Sequence, residues 1–216
     1  MATKFEYYST GDDNAFGIWG VHWLTQTFTP SAAHKITSVK LKLFRLGSPG
    51  TVTVSIRATS GGEPTGSDLC SGTEDGNNLT EDGDGAWYGI TLGAGYDLDA
   101  DTKYAIVAKA LSGSDALNSA NWRGDSSSPT YSGGAGLYSD NSGVDWAGYD
   151  VDRMFEDWGT ANYTRSLTTT IGLSTTLSRA VTYERTPTTA IGLLASLGTF
   201  RNLASWLCIA SRDGGS

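Results

Sequence analysis

The chain reads as an all-β protein. The expected architecture is an antiparallel two-sheet sandwich, jelly-roll-like, with a C-terminal tail that carries a repeat and is helical in part. Three observations predict it. Val39, Leu41 and Leu43 alternate with Lys40, Lys42 and Phe44, and Val52, Val54, Ile56 and Ala58 alternate with Thr51, Thr53, Ser55 and Arg57. Successive side chains on a strand point to opposite faces, so each run has one apolar and one wet face. Similar short runs recur along the first 159 residues between Gly-, Pro- and Asn-rich breaks, the spacing of a sandwich. No helical periodicity appears before residue 160.

Taken in order, residues 4–8 predict a short first strand and residues 10–20 a Gly- and Asp-rich loop carrying Phe16, Ile18 and Trp19. Residues 22–29 alternate Trp23, Thr25 and Thr27 against His22, Leu24, Gln26 and Phe28, and Pro30 ends the run. The two runs over Ile36 to Ala58, joined by Gly47-Ser48-Pro49-Gly50, predict a hairpin. Gly61 to Ser67 reads as a turn, Asp68 to Thr73 as a short strand and Glu74 to Gly85 as polar loop. Trp87 to Leu92 predicts a strand with Tyr88, Ile90 and Leu92 on one side, and Lys103 to Leu111 another. Residues 112–150 read as loop, rich in Ser, Gly and Asn, and Val151 to Trp158 as the last of eight or nine strands.

The composition suits that fold. Charged residues are 18% of the 216, and 28 Gly and seven Trp supply turns and core plugs. The formal net charge of −8 is uneven: residues 1–159 hold ten Lys/Arg against 21 Asp/Glu, and residues 160–216 five Arg against two acids. The acidic front repels phosphates and argues against a nucleic-acid partner. The basic tail points to an acidic partner, an anionic membrane or another copy's front domain, the membrane being the least expected of the three. Cys70 and Cys208 are too few and too far apart for a disulfide framework and read as free thiols. Met1 to Tyr8 lacks the basic start and apolar core of a secretory signal, so either cytoplasmic synthesis and assembly or a removed signal is expected.

After Gly159 the text changes. Tyr163, Arg165, Thr168, Thr169, Ile171, Gly172, Leu173 and Leu177 return 20 positions later as Tyr183, Arg185, Thr188, Thr189, Ile191, Gly192, Leu193 and Leu197. A repeat means one structural unit used twice. Leu193, Leu197, Phe200, Ala204 and Leu207 fall at helical spacing, which favours a helix over 189–210, while 163–182 stays open between helix and strand. A membrane-spanning reading of 190–211 is opposed by Arg201 and Asn202 at its middle. The domain organisation is therefore a sandwich over 1–159 and an assembly or anchoring tail over 160–216. Its candidate self-association residues are Ile171, Leu173, Leu177, Ile191, Leu193, Leu197, Phe200 and Leu207.

Several pieces of the front domain stand in the order of a known family. They include Gln26-Thr27-Phe28-Thr29, Ile36 through Leu41, Gly47 through Val54, Ile56-Arg57-Ala58 and Pro64-Thr65-Gly66. Leu98 through Tyr104, Trp122, Tyr131 through Gly134 and Phe155 continue the match. On these residues, about 20–159 resembles the choice-of-anchor R type of β-sandwich domain, found on microbial surface proteins and in phage-encoded proteins. The resemblance implies display or attachment and brings no catalytic residues or cofactor with it. The tail is similar to Thr/Ser-rich Leu and Ile-Gly-Leu repeats of environmental archaeal, bacterial and viral proteins. Without a signal or Leu-Pro-x-Thr-Gly sorting text, the expectation shifts from a cell wall to a virion.

The candidate chemistry is sparse. His22 and His34 are the only histidines, no Gly-x-Ser-x-Gly text marks a nucleophile, and no His/Cys cluster marks a zinc site. The acidic runs at Asp12-Asp13, Glu81 to Asp84 and Asp97 to Asp101 lack full calcium-loop spacing and read as solvated turns. Arg123-Gly124-Asp125 reads as a chance tripeptide. No enzyme activity, cofactor or metal is expected. Trp122, Tyr131, Tyr138 and Trp146 stand in polar, Gly-rich text beside Tyr149 and have two readings, core plugs or a sugar platform. The function expected is a non-enzymatic structural or assembly protein of a virion (decoration, fibre or tail-associated), self-associating through its tail. The alternative is a carbohydrate-binding module or adhesin of a microbial surface.

Overall fold

The structure, a computed structural model, describes residues 2–162. The repeat, the candidate helix and the eight self-association residues, Ile171 to Leu207, lie outside the described residues, as does the membrane-spanning reading. The described chain forms 13 strands. They are β1 Thr3–Tyr8, β2 Asn14–Ile18, β3 Trp23–Phe28, β4 His34–Leu46, β5 Thr51–Ser60, β6 Glu63–Asp75 and β7 Ala86–Leu98. They continue as β8 Tyr104–Lys109, β9 Ser119–Asp125, β10 Gly136–Ser139, β11 Ala147–Gly148, β12 Asp152–Arg153 and β13 Phe155–Ala161. One 3-10 turn, Gly76–Asn78, sits in the loop before β7, and the last strand runs two residues past the expected boundary at Gly159.

Two antiparallel sheets result. One has the order β1-β13-β4-β9-β12, with β2 added to β9 and β7 to β4; the other has the order β11-β10-β3-β8-β5-β6. Between them lie Ile18, Leu24, Phe28, Ile36, Val39, Leu41 and Leu43 from one part of the chain and Val52, Val54, Ile56, Ile106, Trp122 and Phe155 from the rest. The alternation read along β4 and β5 selects these inward residues, which are fully buried. Phe44, on the face expected to be wet, is buried as well.

The expected hairpin over Ile36 to Ala58 is corrected. β4 pairs with β13, β7 and β9, whereas β5 pairs with β6 and β8 in the other sheet. The Gly47 to Gly50 segment is an arch between sheets. Gly47 and Gly50 take positive φ, and a Cβ on Gly47 would stand 2.7 Å from the Leu117 carbonyl oxygen. Two strands with strong apolar faces can bury them side by side or face to face, and the periodicity is identical in both cases. The true hairpin is the next one: Gly61 and Gly62 both have positive φ, and Ser60 pairs with Glu63 across them. Pro64 therefore lies inside a strand, tolerated because β6 is an edge.

Loop expectations are corrected too. Residues 14–18 form β2 on β9, and the Ser/Gly-rich 112–150 stretch holds β9, β10 and β11. These strands lean on partners far away in sequence, which local propensity cannot see. Within the polar loop after β6, Leu79 is buried, and Arg45 Nε donates to its carbonyl.

β6 and β7 belong to different sheets and touch at Gly72, where an added Cβ would stand 1.9 Å from the Thr91 carbonyl oxygen. Gly72→Ala is therefore expected to push the sheets apart here and cost about 1–3 kcal/mol. A denaturant midpoint equal to that of the unaltered protein would contradict this.

Candidate functional site

The opposite side of the sandwich is closed by aromatic rings rather than backbone. Phe16 on β2 packs against Tyr149, just after β11, with centroids 5.4 Å apart. Tyr149 packs on Tyr138 of β10 at 4.6 Å, and Tyr138 lies 5.8 Å from the His22 ring, which stacks on Trp19 at 4.4 Å. The row thus spans both sheets. Its outermost member is Tyr149, 44% exposed. His22 Nδ1 contacts the Asp140 carboxylate, which fixes the ring between Trp19 and Tyr138.

Beneath the row lies Arg153, fully buried. Its guanidinium sits 4.7 Å from the Phe16 centroid and 5.8 Å from that of Trp122. Nε and Nη2 donate to the Thr25 and Leu137 carbonyls at 3.3 Å, and Nη1 has no partner among the described residues. Burial, which opposes the charge, pulls its pKa down to about 9. Asp152 next to it accepts from Tyr131 N at 2.7 Å, and burial holds its carboxyl above the usual range.

Two shallow cavities flank the Tyr138–Tyr149 pair. The first, about 180 Å3, is lined by Tyr138, Asp140, Asn141, Asp145 and Trp146 among others. Asn141 Nδ2 donates to Asp145 Oδ2 at 2.8 Å. The Trp146 side chain is nine-tenths buried, and its indole N–H has no acceptor among the described residues. The second cavity, about 200 Å3, is lined by Tyr131, Gly134, Tyr149, Asp150 and Asp152 among others. Both combine an aromatic wall with carboxylates.

The four residues singled out in the sequence separate. Trp122 is fully buried between the sheets, its indole N–H donating to the Met154 carbonyl at 2.8 Å; it presents no ring to solvent and leaves the platform. Trp146 packs with Trp23, Ala105, Val107 and Leu137 in a second cluster on the outer face of the β3–β8–β10 sheet. Tyr131 packs edge-on against Phe155 at 5.3 Å and near Tyr8 at 6.1 Å, and its buried hydroxyl has no partner among the described residues. Tyr138 alone joins the surface row, and it shares the first cavity with Trp146. Phe16, Trp19 and His22 were not legible as site residues. The contact between His22 and Asp140 spans 118 positions, and only an expected strand at 14–18 would have flagged the row.

The remaining candidates are spent internally. His34 is fully buried against Asp157. Asp125 of the Arg-Gly-Asp text is buried and accepts from Tyr8 Oη at 2.7 Å, and Arg123 Nε donates to Asp12 at 3.0 Å. Cys70 is a free thiol pushed up to about 11 by burial, so it stays protonated at neutral pH. Among the described residues no three His, Cys, Asp or Glu side chains converge as a metal site, and no helix is long and apolar enough to cross a membrane.

No protein-family model and no curated protein matches the chain.

Proposed function

We propose that the chain is a non-enzymatic structural protein. It displays the sandwich as a head and self-associates through residues 160–216, most consistently as a virion component of decoration, fibre or tail-associated kind. One observation carries the reading: the head has two unlike ends. The described chain ends beside His34, where Ala161 pairs with His34 and Asn162 donates to Asp97 at 3.1 Å. The aromatic row lies toward the other end of β4, where Phe16 pairs with Trp122 and Trp122 with Leu43. At ~3.3 Å per residue the stretch of β4 from His34 to Leu43 spans roughly 30 Å, which separates the exposed rings from the point of exit. The acidic head and basic tail supply charge complementarity between copies, and the resemblance of about 20–159 to choice-of-anchor R domains fits display. The same reading takes the sandwich as jelly-roll-like, supported by crossings between sheets at β4–β5, β6–β7, β7–β8 and β8–β9. Partners are other copies, other virion proteins and a surface glycan, at a virion or extracellular surface. Removing residues 163–216 is expected to leave a folded monomer on a sizing column. A truncated head that still oligomerises defeats the proposal.

The second reading, a carbohydrate-binding module or adhesin, is favoured by the Tyr138–Tyr149 pair with its two polar cavities. It is compatible with the first, because a displayed head needs something to touch.

A further inference from the structure

We propose that the edge of the β10–β11 pair is a binding site for a neutral glycan, with Tyr149 and Tyr138 as the stacking surface, Trp146 as an apolar wall and Asp140, Asp145 and Asp150 as polar contacts. This rests on the carbohydrate reading and narrows it. Three independent observations meet here. The Tyr149 ring is exposed and is backed by Tyr138 and Phe16, so it offers a face without needing to be ordered on binding. The C–H face of a pyranose is apolar and stacks on such a ring. Trp146 walls the adjoining cavity beside Tyr138 and adds apolar surface to it. Acceptors for the hydroxyl hydrogens are the carboxylates of Asp140 and Asp145 in the first cavity and Asp150 in the second.

The same carboxylates set the ligand class. No exposed Lys or Arg lines either cavity, and Arg153 is sealed beneath Phe16. A uronate or sialate would bring its charge against these acids, whereas a neutral hexose chain meets acceptors that match its hydroxyls. Tyr138 borders one cavity and Tyr149 the other, so the site is built for neighbouring sugar units of one chain.

The test uses the full chain on immobilised gluco-, manno- and galacto-oligosaccharides, with uronate- and sialate-containing glycans alongside. Binding to at least one neutral class and none to the anionic ones is expected. Tyr149→Ala should weaken binding about tenfold. Trp146→Phe, which keeps an aromatic wall, should change it by less than about threefold. Leu117→Ala, at a 79% exposed position away from the site, should leave it unchanged. Asp145→Asn removes a charge and keeps an acceptor for Asn141, so it should raise binding to the uronate glycans even if the aromatic variants fold poorly. Silence across the neutral glycans, or a preference of the unaltered chain for anionic ones, overturns the site. Neutral binding that ignores Tyr149→Ala, with uronate binding unmoved by Asp145→Asn, overturns the site while leaving the carbohydrate reading in place. Sizing the same proteins separates the assembly reading: a chain that oligomerises and binds no glycan overturns the site and the carbohydrate reading and leaves assembly standing.

Discussion

Trp122→Ala is expected to cost ~3–5 kcal/mol of folding stability, the range for deleting a large buried ring. The indole is fully buried at the centre of the inter-sheet core, and its N–H satisfies the Met154 carbonyl. Met154 is where the chain steps from β12 to β13. Its carbonyl also accepts from Lys42 N at 3.4 Å, and its own N–H donates to the Arg123 carbonyl at 2.9 Å. Removing the ring leaves a cavity beside Arg153, the buried guanidinium that Trp122 and Phe16 flank. Alanine therefore removes packing and also exposes a charge to poorer surroundings. Trp122→Phe, which keeps most of the volume and loses the hydrogen bond, should cost about half as much or less. Equilibrium denaturation of the three proteins checks this. A loss under about 1 kcal/mol for the alanine variant would mean the indole is not a core plug. Glycan affinity of the folded Trp122→Phe protein should match the unaltered chain, because this ring faces the core.

His34→Ala is expected to be comparably severe, about 3–5 kcal/mol, because it strands the Asp157 carboxylate in the core. Both side chains are fully buried, with Nε2 of His34 2.8 Å from Asp157 Oδ2 in an ion pair that is not aligned as a hydrogen bond. Nδ1 donates to the Ala32 carbonyl at 2.9 Å, and the ring stacks on Phe5 of β1 with centroids 3.8 Å apart. With a carbonyl on one nitrogen and a carboxylate on the other, the pair is best satisfied when it holds one proton more than neutral histidine and ionised aspartate. Burial works against the charged ring, but Asp157 and the Ala32 carbonyl outweigh it, and the pKa of His34 is raised above the ordinary 6.5. Burial also raises Asp157. Both shifts have one sign. The stability they add is fully present below the unfolded values and is lost as pH rises through the folded ones. The unaltered protein should therefore lose thermal stability as pH rises above about 6.5, the ordinary histidine value, relative to Asp157→Asn. In that variant the amide can donate to a neutral ring and no proton is needed. Parallel pH profiles for the two proteins would show that the pair carries no extra proton.

The acid side is governed by different groups. Burial opposes the charge of Asp12, Asp68 and Glu156, but Lys and Arg partners for the two aspartates, and the Trp158 indole N–H with Lys4 for Glu156, prevail and hold all three below the usual carboxylate range. Their contribution is present above the unfolded values and is lost as pH falls through the folded ones. That is why the His34–Asp157 pair is read as a difference between two proteins and not from one profile.

Much of the head was legible in the text because alternation is a local signal. Val39, Leu41, Leu43, Val52, Val54 and Ile56 announce two strands and their inward faces from neighbours alone, and burial selects the same residues. The strands β2, β9, β10 and β11 were not legible. Their sequences are short, polar or Gly-rich, and they are held as strands by partners: Phe16 by Trp122, Leu137 by Thr25, Tyr138 by Ala147. The candidate site was half legible. Aromatics in polar text drew attention to Tyr138 and Trp146, yet the same rule drew it to Trp122. Position in the sheet, not composition, decides whether a ring faces water.

The residues by themselves determined that the front domain is all-β and acidic and that a repeated, basic end follows it, because periodicity, turn residues and charge are properties of short stretches. Only the tertiary structure decided that β4 and β5 face each other across the core, that Trp122 and Arg153 are sealed inside, and that Tyr149 is left outside. Those outcomes depend on which distant strands pair, and pairing is settled by how two whole sheets bury their faces together, a quantity no window of sequence contains.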